Sequence, residues 1–298
     1  MDLPRLKPLS LEQVINFSTP KSWGISDPVR FMALLEEAKK LLTSGVYLGD
    51  NLLTWGRNNS LFEDDAFREA WGSNIQNDAD QAIAWRRYIL ACAAFHCVQL
   101  EGDFAECGVY TGTGIKTVMD YLGGAAFPKT FWGYDTFDYN PVEGHHFAGQ
   151  EAGFFDKVKA RFAAYPQVRL IAGFIPDSFA QGMPEKLAYL HIDLNNAEGE
   201  LAALEGLFDR VVSGGIVILD DSVFALYQAV ARRATQAGAR LPVLFPRSGR
   251  RGQITATRSD PTTIEVTGAV SGTLTVDGAG RLMRVVLADG VSAIRQSK

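Results

Sequence analysis

Between residues 104 and 257 short apolar runs alternate with helical ones, and that alternation leaves the chain few folds. FAECGV is followed by GIKTVMDYL and TFWGYD by EAGFFDKVKARFAAY; then come VRLIAG, LAYLHI, EGELAALEGLFDRVV, GGIVIL, VFALYQAVARRATQAG, LPVLF and GQITAT. The short runs read as strands buried on both faces, and the longer ones carry helical spacing. The pattern predicts an α/β fold with a Rossmann-like, mostly parallel sheet of seven strands, covered by helices on both sides. Ligands of such sheets collect at the carboxyl ends of the strands.

The flanks read differently. Residues 1–101 carry VRFMALLEEAKKLL, FEDDAFREAW and QAIAWRRYILACAAFHCVQL, which predict an all-helical region serving as a cap or an oligomerisation element for a homo-oligomer. LGDNLLTWGRNNS, residues 48–60, predicts a loop carrying Trp55, a lid or connector. The cofactor-binding domain is expected over 102–257. Beyond it TTIEVTGAV, SGTLTVD and RLMRVVLADG alternate as strands between glycine turns, predicting a β-rich extension over 258–298.

Charge narrows the partners. The 29 basic and 34 acidic residues give a net −5 with no Lys/Arg block, which disfavours nucleic acid and anionic membrane and leaves small-molecule chemistry. Cys92, Cys97 and Cys107 have neither a zinc spacing nor an even count, and read as reduced core residues. MDLPRLKPLSLEQ lacks the apolar stretch of a signal peptide, so a cytoplasmic protein is expected.

FAECGVYTGTG, residues 104–114, is a strand that runs into a glycine turn and then a helix, which sets backbone N–H groups and a positive dipole end against a ligand. The dinucleotide fingerprint needs Gly-x-Gly-x-x-Gly, but the glycines fall at Gly108, Gly112 and Gly114 and its middle position is Tyr110. An NAD-linked oxidoreductase is thereby disfavoured. Glu106, inside the strand, suits a cationic amino-acid end, and Asp135 in GYDTF suits two ribose hydroxyls. These residues resemble the first motif of class I S-adenosylmethionine-dependent methyltransferases. The alternatives for both acids are structural: a strand carboxylate satisfied by neighbouring N–H groups, and a turn or cap acid.

LAYLHIDLNN ends a strand at Asp193, and GGIVILDDS ends the next at Asp220 and Asp221. Three carboxylates on one rim repel unless neutralised, and oxygen-only ligands suit Mg²⁺. Proton removal from an acceptor hydroxyl needs a base, for which Asp193 and the loop histidines His145 and His146 are candidates. His191 reads as a core histidine and His96 as a structural one on its helix, Trp85, Trp132, Phe154 and Phe155 as core aromatics, and RSGRR, residues 247–251, as a solvated loop.

With RRYILACAAFHCVQLEGDFAECGVYTGTG, YDTF, GFIPDSF, LHIDLNNAEGELAALE and SGGIVILDDS, residues 85–245 resemble the macrocin and mycinamicin O-methyltransferase family. The resemblance implies magnesium-dependent methylation of a sugar, glycoside or related natural-product hydroxyl, with Asp193, Asp220 and Asp221 holding the metal. It implies cofactor contacts from Glu106, Gly108, Tyr110, Thr111, Gly112, Thr113, Asp135, Thr136, Phe137 and Asp193, with Gly173, Phe174 and Ser178 near the adenosine end. Asn195 stands where many relatives have a second acid, which removes a charge, and Ser222 stands where an aromatic residue often follows. A noncatalytic binding or assembly protein on the same fold is the other reading.

Overall fold

The computed structural model describes residues 17–19, 21, 25–43, 45–56, 59–138, 152–195, 197–220, 227, 230–245, 250–280, 282–288 and 292–294. The chain forms two compact units, one of residues 1–191 and 209–218, the other of residues 192–208 and 219–298. In chain order the elements are β1 (Phe17–Ser18), α1 (Pro28–Lys39), β2 (Val46–Gly49), β3 (Leu52–Trp55), α2 (Asp65–Asn74), α3 (Asp78–Ala82) and α4 (Ala84–Cys97). Next come β4 (Asp103–Cys107), α5 (Thr113–Tyr121), β5 (Phe131–Asp135), α6 (Phe154–Arg161), β6 (Val168–Ala172), β7 (Leu187–Ile192), α7 (Ala197–Leu207) and β8 (Val211–Leu219). The strands β9 (Ala239–Phe245), β10 (Arg250–Arg258), β11 (Thr263–Gly268), β12 (Gly272–Val276), β13 (Leu282–Leu287) and β14 (Ser292–Ile294) complete the chain.

The central sheet has the order β6-β5-β4-β7-β8, with β4, β5 and β6 parallel in register. The chain steps outward from β4 to β6 and then returns to place β7 on the other side of β4. That reversal opens a ligand crevice beyond the carboxyl ends of the strands. Phe104, Phe131 and Tyr189 pack together from β4, β5 and β7, with ring centroids 5.0 to 6.0 Å apart. Phe67, Tyr88, Ile115, Met119 and Leu122 join them in one core. Asp64 accepts from Phe67 N–H to cap α2, and Asn77 accepts from Ala79 and Asp80 to cap α3, which satisfies first-turn amides that have no partner within the helix. Among the described residues no helix is long and apolar enough to cross a membrane.

Two expectations need correction. The sheet has five strands among the described residues rather than seven. LPVLF and GQITAT do form strands, but β9 and β10 pair antiparallel with each other from Ala239↔Ala256 to Arg250↔Phe245, and β10 continues onto β11. They open a six-stranded antiparallel sheet, order β14-β13-β12-β11-β10-β9, in the second unit. Ile254, Ala256, Ile264, Val266, Leu274, Val276, Leu282 and Val285 alternate onto one face and bury it with Val230, Ala231 and Ala234. Apolar alternation identifies a strand but does not say which strand it pairs with. The second correction lies at 48–60, where the expected loop begins with part of a hairpin. VYLG pairs with LLTW through Asp50 and Asn51, both left-handed at φ 52° and 58°, as a two-residue turn of positive φ requires. The first hundred residues are therefore not all helical.

Candidate functional site

β4 delivers the chain to Gly108, whose N–H donates to Tyr134 O at 2.8 Å and extends the ladder by one rung. The turn then bends back through Tyr110 (φ 49°) and Gly112 (φ 82°) into α5. A non-glycine residue in the left-handed region is uncommon and persists only where neighbours hold it. Tyr110 is held by its N–H, which donates to Asp135 Oδ2 at 2.7 Å. Phe137, left-handed at φ 56°, donates its N–H to Asp135 Oδ1 at 3.0 Å. The Asp135 carbonyl accepts from Gly173 N–H at 2.9 Å, at the end of β6. One residue at the end of β5 thus ties together the turns after three strands. Burial pushes the Asp135 carboxyl above its ordinary value, and the N–H donors of Phe137, Tyr110 and Thr136 pull it partway back.

The far side of the turn is braced by α6. Arg161 Nη1 donates to Thr111 O at 2.5 Å and to Thr113 Oγ1 at 3.4 Å, while Nη2 donates to Asn74 O at 3.3 Å. Thr113 is fully buried and faces Asn74 O and Asp80 Oδ2, so its hydroxyl belongs to the scaffold of the turn. Sequence reasoning does not find Arg161, Asn74 and Asp80: they lie 33 to 50 residues from the turn positions they brace, and no local spacing marks them.

Glu106 is 2% exposed, and its Oε2 receives a hydrogen bond from His191 Nδ1 on β7 at 2.8 Å. A Cβ on Gly114, in the first turn of α5, would lie 2.8 Å from Glu106 Oε2, 3.0 Å from Oε1 and 2.9 Å from Arg87 Nη1. The carboxylate therefore packs directly on the helix backbone, with a guanidinium beside it. His191 is buried and partnered at Nδ1, as a core histidine would be, while its Nε2 is buried with no partner. His96 Nε2 meets Gly214 O at 3.0 Å. The cysteines are free thiols: Cys97 and Cys107 are buried and Cys92 is half-buried. After β6, Ser178 is buried with its Oγ unpartnered, and Phe174 is 42% exposed.

In the second unit, Asp220 N–H donates to Ile192 O at 2.9 Å, which sets the ends of β7 and β8 side by side. Asp193 follows β7 directly, and Asn195, left-handed at φ 51°, donates from Nδ2 to Asp193 Oδ1 at 3.5 Å. In donor chemistry these residues, two carboxylates and an amide, are of the oxygen-only kind that a hard divalent cation takes. Among the described residues no group of three His, Cys, Asp or Glu side chains is placed to hold a metal. Asp221, the third expected ligand, and His145 and His146 lie outside the described residues.

The family model for macrocin O-methyltransferase (TylF) matches residues 89–238, half of the chain. The chain is 30% identical over 139 residues to an 8-demethyl-8-(2,3-dimethoxy-alpha-L-rhamnosyl)-tetracenomycin-C 4′-O-methyltransferase from Streptomyces olivaceus, a match covering 40% of this chain and 52% of that protein. It therefore spans about half the length of that curated relative. Solved structures similar to it include the O-methyltransferase NovP (21% identity, 49% of this chain and 71% of that one, TM-score 0.39). Another is the calicheamicin methyltransferase CalS11 (16% identity, 79% and 95%, TM-score 0.41).

Proposed function

Because this chain belongs to the macrocin O-methyltransferase family, we propose that it is an S-adenosylmethionine-dependent, Mg²⁺-dependent O-methyltransferase acting on a hydroxyl of a sugar, glycoside or related natural product. The observation that carries the reading is Asp135, which holds the left-handed Tyr110 and Phe137 at the ends of neighbouring parallel strands. Strained backbone maintained by a buried carboxylate at the carboxyl edge of a parallel sheet is what a preformed nucleoside site requires. Asp135 Oδ1 accepts from Phe137 N–H and Thr136 Oγ1 and Oδ2 accepts from Tyr110 N–H, and a carboxylate oxygen is the kind of acceptor a ribose hydroxyl takes. Glu106 offers negative charge to an ammonium group, and the unpartnered Ser178 Oγ offers a hydrogen bond near the adenosine end.

S-adenosylmethionine supplies a methyl group on a sulfonium, open to in-line attack by an alcohol. Aligning that attack and removing the hydroxyl proton are the protein's share. Asp193 is the assigned proton acceptor, with His145 or His146 as the alternative. Asp193, Asp220 and Asp221 are the residues that would hold Mg²⁺, which when bound lowers the pKa of a coordinated hydroxyl. Asn195 in place of an acid reduces the negative charge available to the ion.

Calorimetric titration with S-adenosylhomocysteine, with and without Mg²⁺ and with NAD⁺ as control, tests the reading. Binding of the first with no NAD⁺ signal supports it. Silence of folded protein toward S-adenosylhomocysteine sinks it and leaves a noncatalytic binding role. Asp220→Asn should keep cofactor affinity within about twofold and abolish Mg²⁺-dependent methyl transfer.

A further inference from the structure

We propose that His191 is a positioning residue for the cofactor, holding Glu106 so that its carboxylate reads the ammonium group of an amino-acid-bearing ligand. The inference rests on the S-adenosylmethionine reading above and adds the residue that makes one end of that site selective. An isolated carboxylate costs several kcal/mol to bury, and it stays ionised only when its oxygens are met by donors or opposite charge. Glu106 is buried within β4, and no residue of its own strand supplies a donor to it. The donor comes from the next strand: His191 Nδ1 reaches Oε2 at 2.8 Å, and both residues are almost completely excluded from solvent.

Three features make this a constraint on direction as well as on charge. His191 sits mid-sheet, between Leu190 and Ile192, both fully buried, so its ring has little freedom to follow a moving partner. Gly114 closes the other side, since any Cβ there would collide with both Glu106 oxygens. Arg87 Nη1 lies 2.9 Å from the same Cβ position, which puts a cationic side chain on the helix side of the carboxylate. With Oε2 occupied by the histidine, Oε1 is the oxygen left to a ligand. Glu106 is therefore clamped from the strand side and the helix side before any ligand arrives, the preorganisation that selective recognition of a cation needs.

A merely structural histidine would affect all ligands alike; a positioning one would affect only those that carry the amino-acid end. The test uses full-length wild-type, His191→Ala and His191→Asn proteins, titrated with S-adenosylhomocysteine and with 5′-deoxy-5′-methylthioadenosine, which lacks that end. His191→Ala is expected to weaken S-adenosylhomocysteine roughly 10- to 100-fold, the range of a hydrogen bond to a charged group, and to leave methylthioadenosine within about twofold. His191→Asn, whose amide N–H can take the place of Nδ1–H, should recover most of the loss. If His191→Ala does not fold, His191→Leu, which keeps much of the ring's volume and removes the donor, carries the same test, with the same selective loss expected. Equal losses for the two ligands, or none, with wild-type binding intact, overturn this inference and leave the methyltransferase reading standing. Silence of the wild-type protein toward both ligands overturns the two together.

Discussion

The turn after β4 depends on a glycine at 112, and Gly112→Ala gives a way to measure how tightly α6 bounds it. Two costs combine. The backbone is left-handed at φ 82°, where a Cβ costs about 1 to 2 kcal/mol. That Cβ would also lie 2.5 Å from Cε2 and 2.8 Å from Cζ of Phe162, far inside ordinary contact. Phe162 is 6% exposed and packed edge-on against Tyr165 with centroids 6.2 Å apart, so its ring cannot swing clear without disturbing the core. Overpacking of this kind costs about 1 to 3 kcal/mol, and the substitution should destabilise the protein by about 2 to 5 kcal/mol in all. The contributions separate in a double-mutant cycle. In a Phe162→Ala background the collision is gone, and Gly112→Ala should cost only the backbone part, about 1 to 2 kcal/mol. Equilibrium urea unfolding followed by tryptophan fluorescence on the four proteins measures both. An equal cost of Gly112→Ala in the two backgrounds would show that Phe162 does not confine the turn, and would refute the packing argument.

Other consequences follow from the same geometry. Arg161→Ala removes the guanidinium that three acceptors around the turn share, and should cost about 1 to 3 kcal/mol, read as a lowered Tm together with weaker S-adenosylhomocysteine binding; an unchanged Tm would mean the turn holds itself. Alkaline titration should find the fold weakest at high pH. Burial pushes Tyr47 from 10.0 up to about 12 and Cys97 from 9.0 up to about 11, so the fold favours their neutral forms. Their stabilising share is complete below pH 9 to 10 and is lost as pH rises through 11 to 12. For fully buried Tyr47 the gap corresponds to roughly 3 kcal/mol, and urea midpoints should be flat from pH 7 to 9 and fall beyond. The same suppression of the thiolate predicts that iodoacetamide at pH 8 leaves Cys97 and Cys107 unmodified in the folded protein and labels both in urea; labelling of either without denaturant at the rate seen in urea would contradict their burial.

What the sequence disclosed, and what it withheld, divides by physical range. Strand, glycine turn and helix at 104–121 were legible because each is encoded within a few residues, and Asp135 because it ends an apolar run. Pairing was not legible: the alternation of ITA in β10 is the same whether that strand closes a parallel sheet or opens an antiparallel one, and only the cost of leaving Ile264 and Leu274 uncovered decides. Asp50–Asn51 was a missed local signal, since two residues that tolerate left-handed backbone between VYLG and LLTW announce a hairpin. The roles of Glu106 and His191 show the limit most directly. From sequence, a strand acid before a glycine turn and a histidine inside an apolar strand are two separate features, 85 residues apart, one assigned to a ligand and the other to the core. In the fold they form one hydrogen bond at 2.8 Å, so that the acid has a core partner and the histidine a place behind the site. If that bond does position the acid, the distinction between core and site does not hold at this point of the sheet: the buried groups that stabilise β4 against β7 are also those that set which ligand charge the turn accepts.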